Sequence, residues 1–290
     1  MKNRSFYITM LTYTIWGLLP LYWKLLSHVP AVLILCCRIT FSLVFTSAII
    51  LLTRRMDQFK ALLRDRPTML KLTIASLLIT VNWGTYIYAV ASGHTLDASL
   101  GYYMNPLVVF AASMVIFKEK TSLLQIVSIC VAASGVIITL IIFGTVPVSA
   151  LIMAFSFAAY GSVKKFAHVE PLLSIAVETL IVAPIALIVA TTMFGDALSA
   201  VTLRDGLLMM MAGPVTAVPM ILYSIGVNHL DFKTVGILQY ISPSLMLLIG
   251  LMSGEALSLE KLIPFIAVLV ALVIYTIGIV RKKPAQTKAE

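Results

Sequence analysis

Apolar runs of about the same length follow one another along this chain, and only a few polar residues part them. A helix needs about 20 apolar residues to cross the hydrocarbon core of a bilayer. In lipid, only helices and closed barrels satisfy their own backbone hydrogen bonds. Breaking the 290-residue sequence at polar and turn residues gives ten candidate spans. They run approximately over 6–23, 31–52, 70–91, 97–116, 122–142, 147–164, 171–193, 205–228, 233–252 and 260–280. The expected fold is therefore all-α and integral to the membrane. The charged fraction excludes a soluble reading: it is 11%, with 60% hydrophobic residues, whereas soluble domains average about 25% charged.

The basic residues set an orientation. With the N-terminus in the cytoplasm, 17 of the 21 Lys and Arg fall in inner segments and three (Lys24, Arg204, Lys261) in outer ones. Arg38 is left inside span two. This asymmetry expects both termini in the cytoplasm and an even number of spans. It also accounts for the net charge of +9 without nucleic acid as a partner. The expected partners are the lipid bilayer and a small-molecule substrate. No cleavable leader is expected, because Met1–Arg4 lead straight into a long span. Cys36, Cys37 and Cys130 sit in apolar runs without metal spacing and read as small core residues, so neither metal nor cofactor is expected.

The second half echoes the first. Tyr103-Met104-Asn105-Pro106 precedes Glu119, as Tyr240-Ile241-Ser242-Pro243 precedes Glu255, and each glutamate has a serine three residues on. His94 and His229 each stand seven residues before a glycine, Gly101 and Gly236. Tyr13–Gly17 resembles Phe157–Gly161, and Pro30 and Pro171 open spans two and seven. Five spans per half is an odd number, so the halves enter the membrane in opposite senses. The expected domains are 6–142 and 147–280, followed by a basic cytoplasmic tail at 281–290. Inverted repeats place a transport site near the midplane, between the halves.

Several segments carry a family resemblance. They are Thr14–Lys24, Asn82-Trp83, Leu100–Pro106, the turn at Glu119, and Gly236–Pro243. The chain resembles the EamA-type permeases of the drug/metabolite transporter superfamily, within them the RarD group, over residues 6–280. The resemblance implies ten helices in two EamA repeats and a permease of the bacterial inner membrane.

Candidate site residues follow from the cost of polarity in lipid. An arginine at a helix centre costs roughly 2.5–3.5 kcal/mol on insertion scales. Arg38 and Glu178 each lie about eight residues into their spans, near 12 Å deep. They either pair or flank one cavity, Arg38 holding an anionic group and Glu178 a proton or an amine. Asn82, Trp83 and Tyr86 share one helix face at mid-depth and suit a small amphipathic ligand. Pro106 and Pro243 free carbonyls one turn earlier, beside Tyr103, Asn105, Gln239 and Tyr240. Pro214 and Pro219 bend span eight, where a gate could form. Glu119 and Glu255 read as caps of the helix that follows each. Met209–Met211 reads as packing or lipid-facing.

The function class that fits is a secondary permease or exporter of a small metabolite or drug-like solute, working by alternating access, with protons as the candidate coupling ion. It would be a monomer or homodimer. No GxxxxGK[ST] loop is present, so ATP does not drive it directly. A polytopic membrane enzyme or a channel is the alternative. An enzyme would need a nucleophile, a metal set or paired carboxylates, and the intramembrane carboxylates reduce to Glu178.

Overall fold

The computed structural model describes residues 2–92, 95–144, 148–252 and 259–280. Among them, thirteen helical segments follow in order: α1 (Lys2–Lys24), α2 (Ala31–Leu52), α3 (Met56–Arg64), α4 (Arg66–Ala91), α5 (Thr95–Val115), α6 (Leu123–Phe143), α7 (Val148–Ala167), α8 (Pro171–Met193), α9 (Gly195–Ser199), α10 (Leu203–His229), α11 (Phe232–Leu238), α12 (Ile241–Met252) and α13 (Leu259–Val280). Six stretches are long and apolar enough to cross a membrane: 31–52, 66–89, 123–142, 171–193, 203–229 and 232–252. The other expected spans correspond to α1, α5, α7 and α13, helices of 23, 21, 20 and 22 residues. Leu51, Val115, Ile141, Ile185 and Met211 are among many large apolar side chains turned outward. A soluble monomer rarely exposes so continuous an apolar surface; in lipid it is the ordinary exterior.

Two segments depart from the sequence expectation. The basic stretch after span two forms a helix, α3, whose Met56, Phe59 and Leu62 pack against Ile50, Leu172 and Leu173. Span nine is two helices rather than one. Pro243 supplies no N–H and clashes with the carbonyl four residues back, that of Gln239. The chain breaks there, and the amides of Gln239, Tyr240 and Ser242 each bond three residues back instead of four. Pro106, Pro214 and Pro219 lie inside continuous helices.

The packing runs mainly between the two halves of the sequence. α4 and α5 pack on α7, α1 on α10 and α12, α2 on α8 and α10, α8 on α4, and α6 on α13. Small residues allow the close approaches. A Cβ on Gly213 would meet the backbone of Phe41 at 2.4 Å, and one on Gly135 would meet Ala267 at 2.4 Å. Cys36 and Cys37 are buried as expected, whereas Cys130 is exposed on the outer face of α6. Met209 is buried, and Met210 and Met211 face outward.

One end of the bundle is tied shut across the halves. The Glu119 carboxylate accepts from the amides of Phe232 at 2.5 Å and Lys233 at 3.0 Å. Glu119 thus caps α11, a helix of the other half, while α6 is capped by Ser122 and Gln125. This corrects the expectation that it caps the helix following it. The Lys233 ammonium donates to the Lys120 carbonyl. Phe117 meets Phe166 and Phe232 with ring centroids 4.9 and 5.2 Å apart. His94, Glu255 and the tail at 281–290 lie outside the described residues.

Candidate functional site

A cavity of about 140 Å³ lies between the halves, towards the end opposite the Glu119 closure. A volume near 150 Å³ admits a molecule the size of benzene. On α1, Trp16, Leu19, Pro20 and Trp23 line it. Their spacing of three, four and seven residues is one helix face. The opposite walls carry Arg38, Asn82, Trp83, Tyr86, Tyr102, Asn105, Phe157 and Gln239. All three tryptophans of the chain therefore stand at this one cavity.

Arg38 is held by α1, α4 and α10 together. Its guanidinium carbon lies 4.4 Å from the ring centroid of Trp83 and 5.1 Å from that of Trp23. Its Nε donates to the Thr216 hydroxyl at 3.1 Å. Among the described residues, no carboxylate lies within ion-pair distance of it. Aromatic faces stabilise a guanidinium by about 0.5–2 kcal/mol each. They bring no negative charge to its N–H donors, whose fork matches a carboxylate, and Arg38 is among the residues that line the cavity.

Glu178 does not pair with Arg38. Its carboxylate meets the Lys164 ammonium at 2.5 Å, the Ser174 hydroxyl at 2.7 Å and the Tyr160 hydroxyl at 3.0 Å. Lys164 also donates to Ser174 at 2.8 Å. Both charged side chains are nearly sealed, at 3% and 4% exposure. Lys164 stands beside Lys165 in the last turn of α7, but the fold draws it inward as the counter-ion. A small second cavity of about 20 Å³ separates Glu178 from Thr216, the bonding partner of Arg38. That is room for one water.

The amide of Asn82 donates to the Met153 carbonyl at 2.8 Å and the Ser156 hydroxyl at 3.2 Å, tying α4 to α7. Tyr86 lines the cavity and meets Tyr102 edge-on at 5.8 Å. Asn105 and Gln239 are 5% and 6% exposed, and each has a buried carbonyl oxygen without a partner. Tyr103 and Tyr240 pack into the core instead of lining the cavity. Their neighbours Tyr102 and Gln239 take that place, one residue earlier before Pro106 and Pro243 alike. One residue is about 100° of helix rotation, which the sequence spacing alone does not resolve. The Trp16–Trp23 spacing is the sequence signal that marks this face of α1.

These features define a multi-pass membrane protein with a polar-anchored cavity between its two halves. Residues 4–141 match the EamA-like transporter family. The uncharacterized transporter YojE of Bacillus subtilis is 39% identical over 96% of this chain and 95% of its own. Protein RarD of Salmonella typhi is 36% identical over 95% and 96%, and Protein RarD of Escherichia coli 34% over 92% and 92%. A solved crystal structure with 19% identity superposes over 96% of this chain and 99% of its own, with a TM-score of 0.75, and so shares the fold. The chain belongs to the EamA-like transporter family. It is a membrane transporter of the drug/metabolite type.

Proposed function

We propose that this protein is a secondary carrier that moves a small amphipathic solute across the bacterial inner membrane by alternating access. It would do so with ten spans, α11 and α12 together forming the ninth, arranged as two inverted repeats. The observation that carries the reading is the matched packing between halves. When the spans are paired in order, α4 on α7 answers to α10 on α1, and α5 on α7 answers to α12 on α1. The packing of α2 on α10 answers to that of α8 on α4, while α2 with α8 and α6 with α13 are each their own counterparts. Two bodies related in this way can rock about a fixed site.

The ends differ as such a carrier requires. The end holding Glu119, Lys165 and Lys233 is closed, and the cavity lies towards the other. The count of basic residues supports a cytoplasmic closed end, with both termini on the same side. Glu178 is ion-paired with Lys164 and nearly sealed, so it stays a scaffold charge, and the coupling proton is assigned to no particular residue. Neither a catalytic carboxylate pair nor a metal set is part of this reading.

The test is transport by the reconstituted protein. With Cys36, Cys37 and Cys130 replaced, a cysteine pair at Glu119 and Lys233 joined by a short bifunctional reagent should stop passage into vesicles while leaving ligand binding intact. Passage that survives the cross-link would end the alternating-access reading. Collapse of uptake when the pH gradient is dissipated is expected for proton coupling, and unchanged uptake would exclude it.

A further inference from the structure

The cavity's polar groups specify more than a small solute. Arg38 keeps its charge at physiological pH and sits where an unpaired cation is costly. Its described partners are two indole faces and one hydroxyl, none of which neutralises it. The missing element is an anion. A phosphate would suit the fork equally, but its second negative charge would have no lysine or arginine among the cavity-lining residues to meet it. A charge left unpaired at low dielectric is strongly penalised. A carboxylate brings one negative charge to one positive charge.

The remaining walls add two requirements. Asn105 and Gln239 line the same cavity; the side-chain oxygen of each is buried and lacks a hydrogen-bond donor, so a ligand donor reaches it when the amide turns towards the cavity. Buried acceptors cost about 1–3 kcal/mol when unmet. Trp16, Trp23, Trp83, Tyr102 and Phe157 make the lining largely aromatic, which suits a planar apolar body. We infer that the substrate class is a small monocarboxylate with a planar apolar body and an N–H or O–H donor, its carboxylate on Arg38 and its donor on Asn105 or Gln239. This rests on the carrier reading of the cavity.

All three tryptophans flank the site, so intrinsic fluorescence of the purified full chain in detergent reports binding directly. The probe is para-hydroxyphenylacetate, excited on the red edge of the tryptophan band. Comparison compounds are its methyl ester, the cationic para-hydroxyphenethylamine and a para-hydroxybenzyl phosphonate. The acid should give a saturable signal, with the ester and the amine about tenfold weaker or more, as the loss of a charge-assisted bond implies. Arg38→Gln should weaken the acid by a similar factor and leave the ester unchanged. Arg38→Lys, which keeps the charge without the fork, should fall between. Equal binding of acid and ester, tighter binding of the amine or phosphonate, no saturable signal from the acid, or an Arg38→Gln variant that binds the acid normally would each overturn the assignment. The two readings fail separately. A carrier that passes only neutral or cationic solutes ends this inference alone, and carboxylate binding without passage ends the carrier reading alone.

Discussion

Arg38 and Glu178 are the two ionisable side chains that the sequence reading places deep in lipid as site candidates, on helices α2 and α8, which pack against each other. The fold treats them oppositely. Glu178 is enclosed by an ammonium and two hydroxyls within 3.0 Å, all from α7 and α8. Arg38 is reached from three other helices, yet receives only ring faces and one hydroxyl. A charge whose protein partners neutralise it is part of the scaffold, since removing one partner strands the other. A charge that protein groups hold in place without neutralising is prepared for something that arrives. The shared depth of the two residues in the sequence is therefore a poor guide to a shared role.

The largest effect should come from separating the scaffold pair. Lys164→Met leaves the Glu178 carboxylate buried with hydroxyl partners only. Breaking a buried pair in this way costs about 3–5 kcal/mol. Thermal melting of the detergent-solubilised variant should fall sharply, and Lys164→Met combined with Glu178→Gln should recover much of the loss. A single variant as stable as the parent would mean that the pair is not structural, and the contrast with Arg38 would collapse.

The next effect tests what holds Arg38 in place. Gly213→Ala puts a methyl 2.4 Å from the Phe41 backbone, so α2 and α10 must move apart. Overpacking of this kind costs about 1–3 kcal/mol. The Ser42 hydroxyl donates to the Gly213 carbonyl at 3.0 Å, and Arg38 to Thr216 at 3.1 Å, across the same interface. The variant should therefore lose stability and also displace the tryptophan emission, through Trp83 and Trp23. Lower stability with unchanged emission would show that α1 and α4, and not α10, fix the guanidinium.

The closed end gives a smaller effect. Glu119→Gln replaces one of two acceptor oxygens with a donor facing the amides of Phe232 and Lys233. Loss of such a cap costs about 1–2 kcal/mol. Hydrogen exchange at those two amides should quicken by about tenfold, since 1.4 kcal/mol is a factor of ten. Unchanged exchange would remove Glu119 from the closure and leave Phe117, Phe166 and Phe232 as its main element.

How far the sequence could be read follows from the range of each interaction. Helix positions were legible because lipid acts on every residue of a run, so α2 and α8 begin and end where the apolar segments do. Arg38, Asn82, Trp83 and Tyr86 were legible as cavity candidates because polarity or aromatic spacing marks a helix face. The partner of Glu178 was not. Lys164 stands at the end of an apolar run, where a basic residue ordinarily anchors topology, and only the α7–α8 turn brings it back. Glu119 was legible as a cap, but the helix it caps is 113 residues away in sequence. Tyr103 and Tyr102 differ by one step of rotation, which packing decides and spacing does not.

The smallest expected stability change belongs to Arg38 itself. Arg38→Gln forfeits one hydrogen bond to Thr216, worth about 1 kcal/mol, and two ring contacts of about 0.5–2 kcal/mol. It also removes the cost of holding a guanidinium within the bilayer, roughly 2.5–3.5 kcal/mol. The terms nearly cancel, so melting without ligand should stay close to that of the parent. Stabilisation by a bound carboxylate should then disappear, because ligand raises stability only through the state that binds it. The paired measurement separates the roles that Glu178 and Arg38 hold. A variant that melts much earlier without ligand would make Arg38 a second scaffold charge.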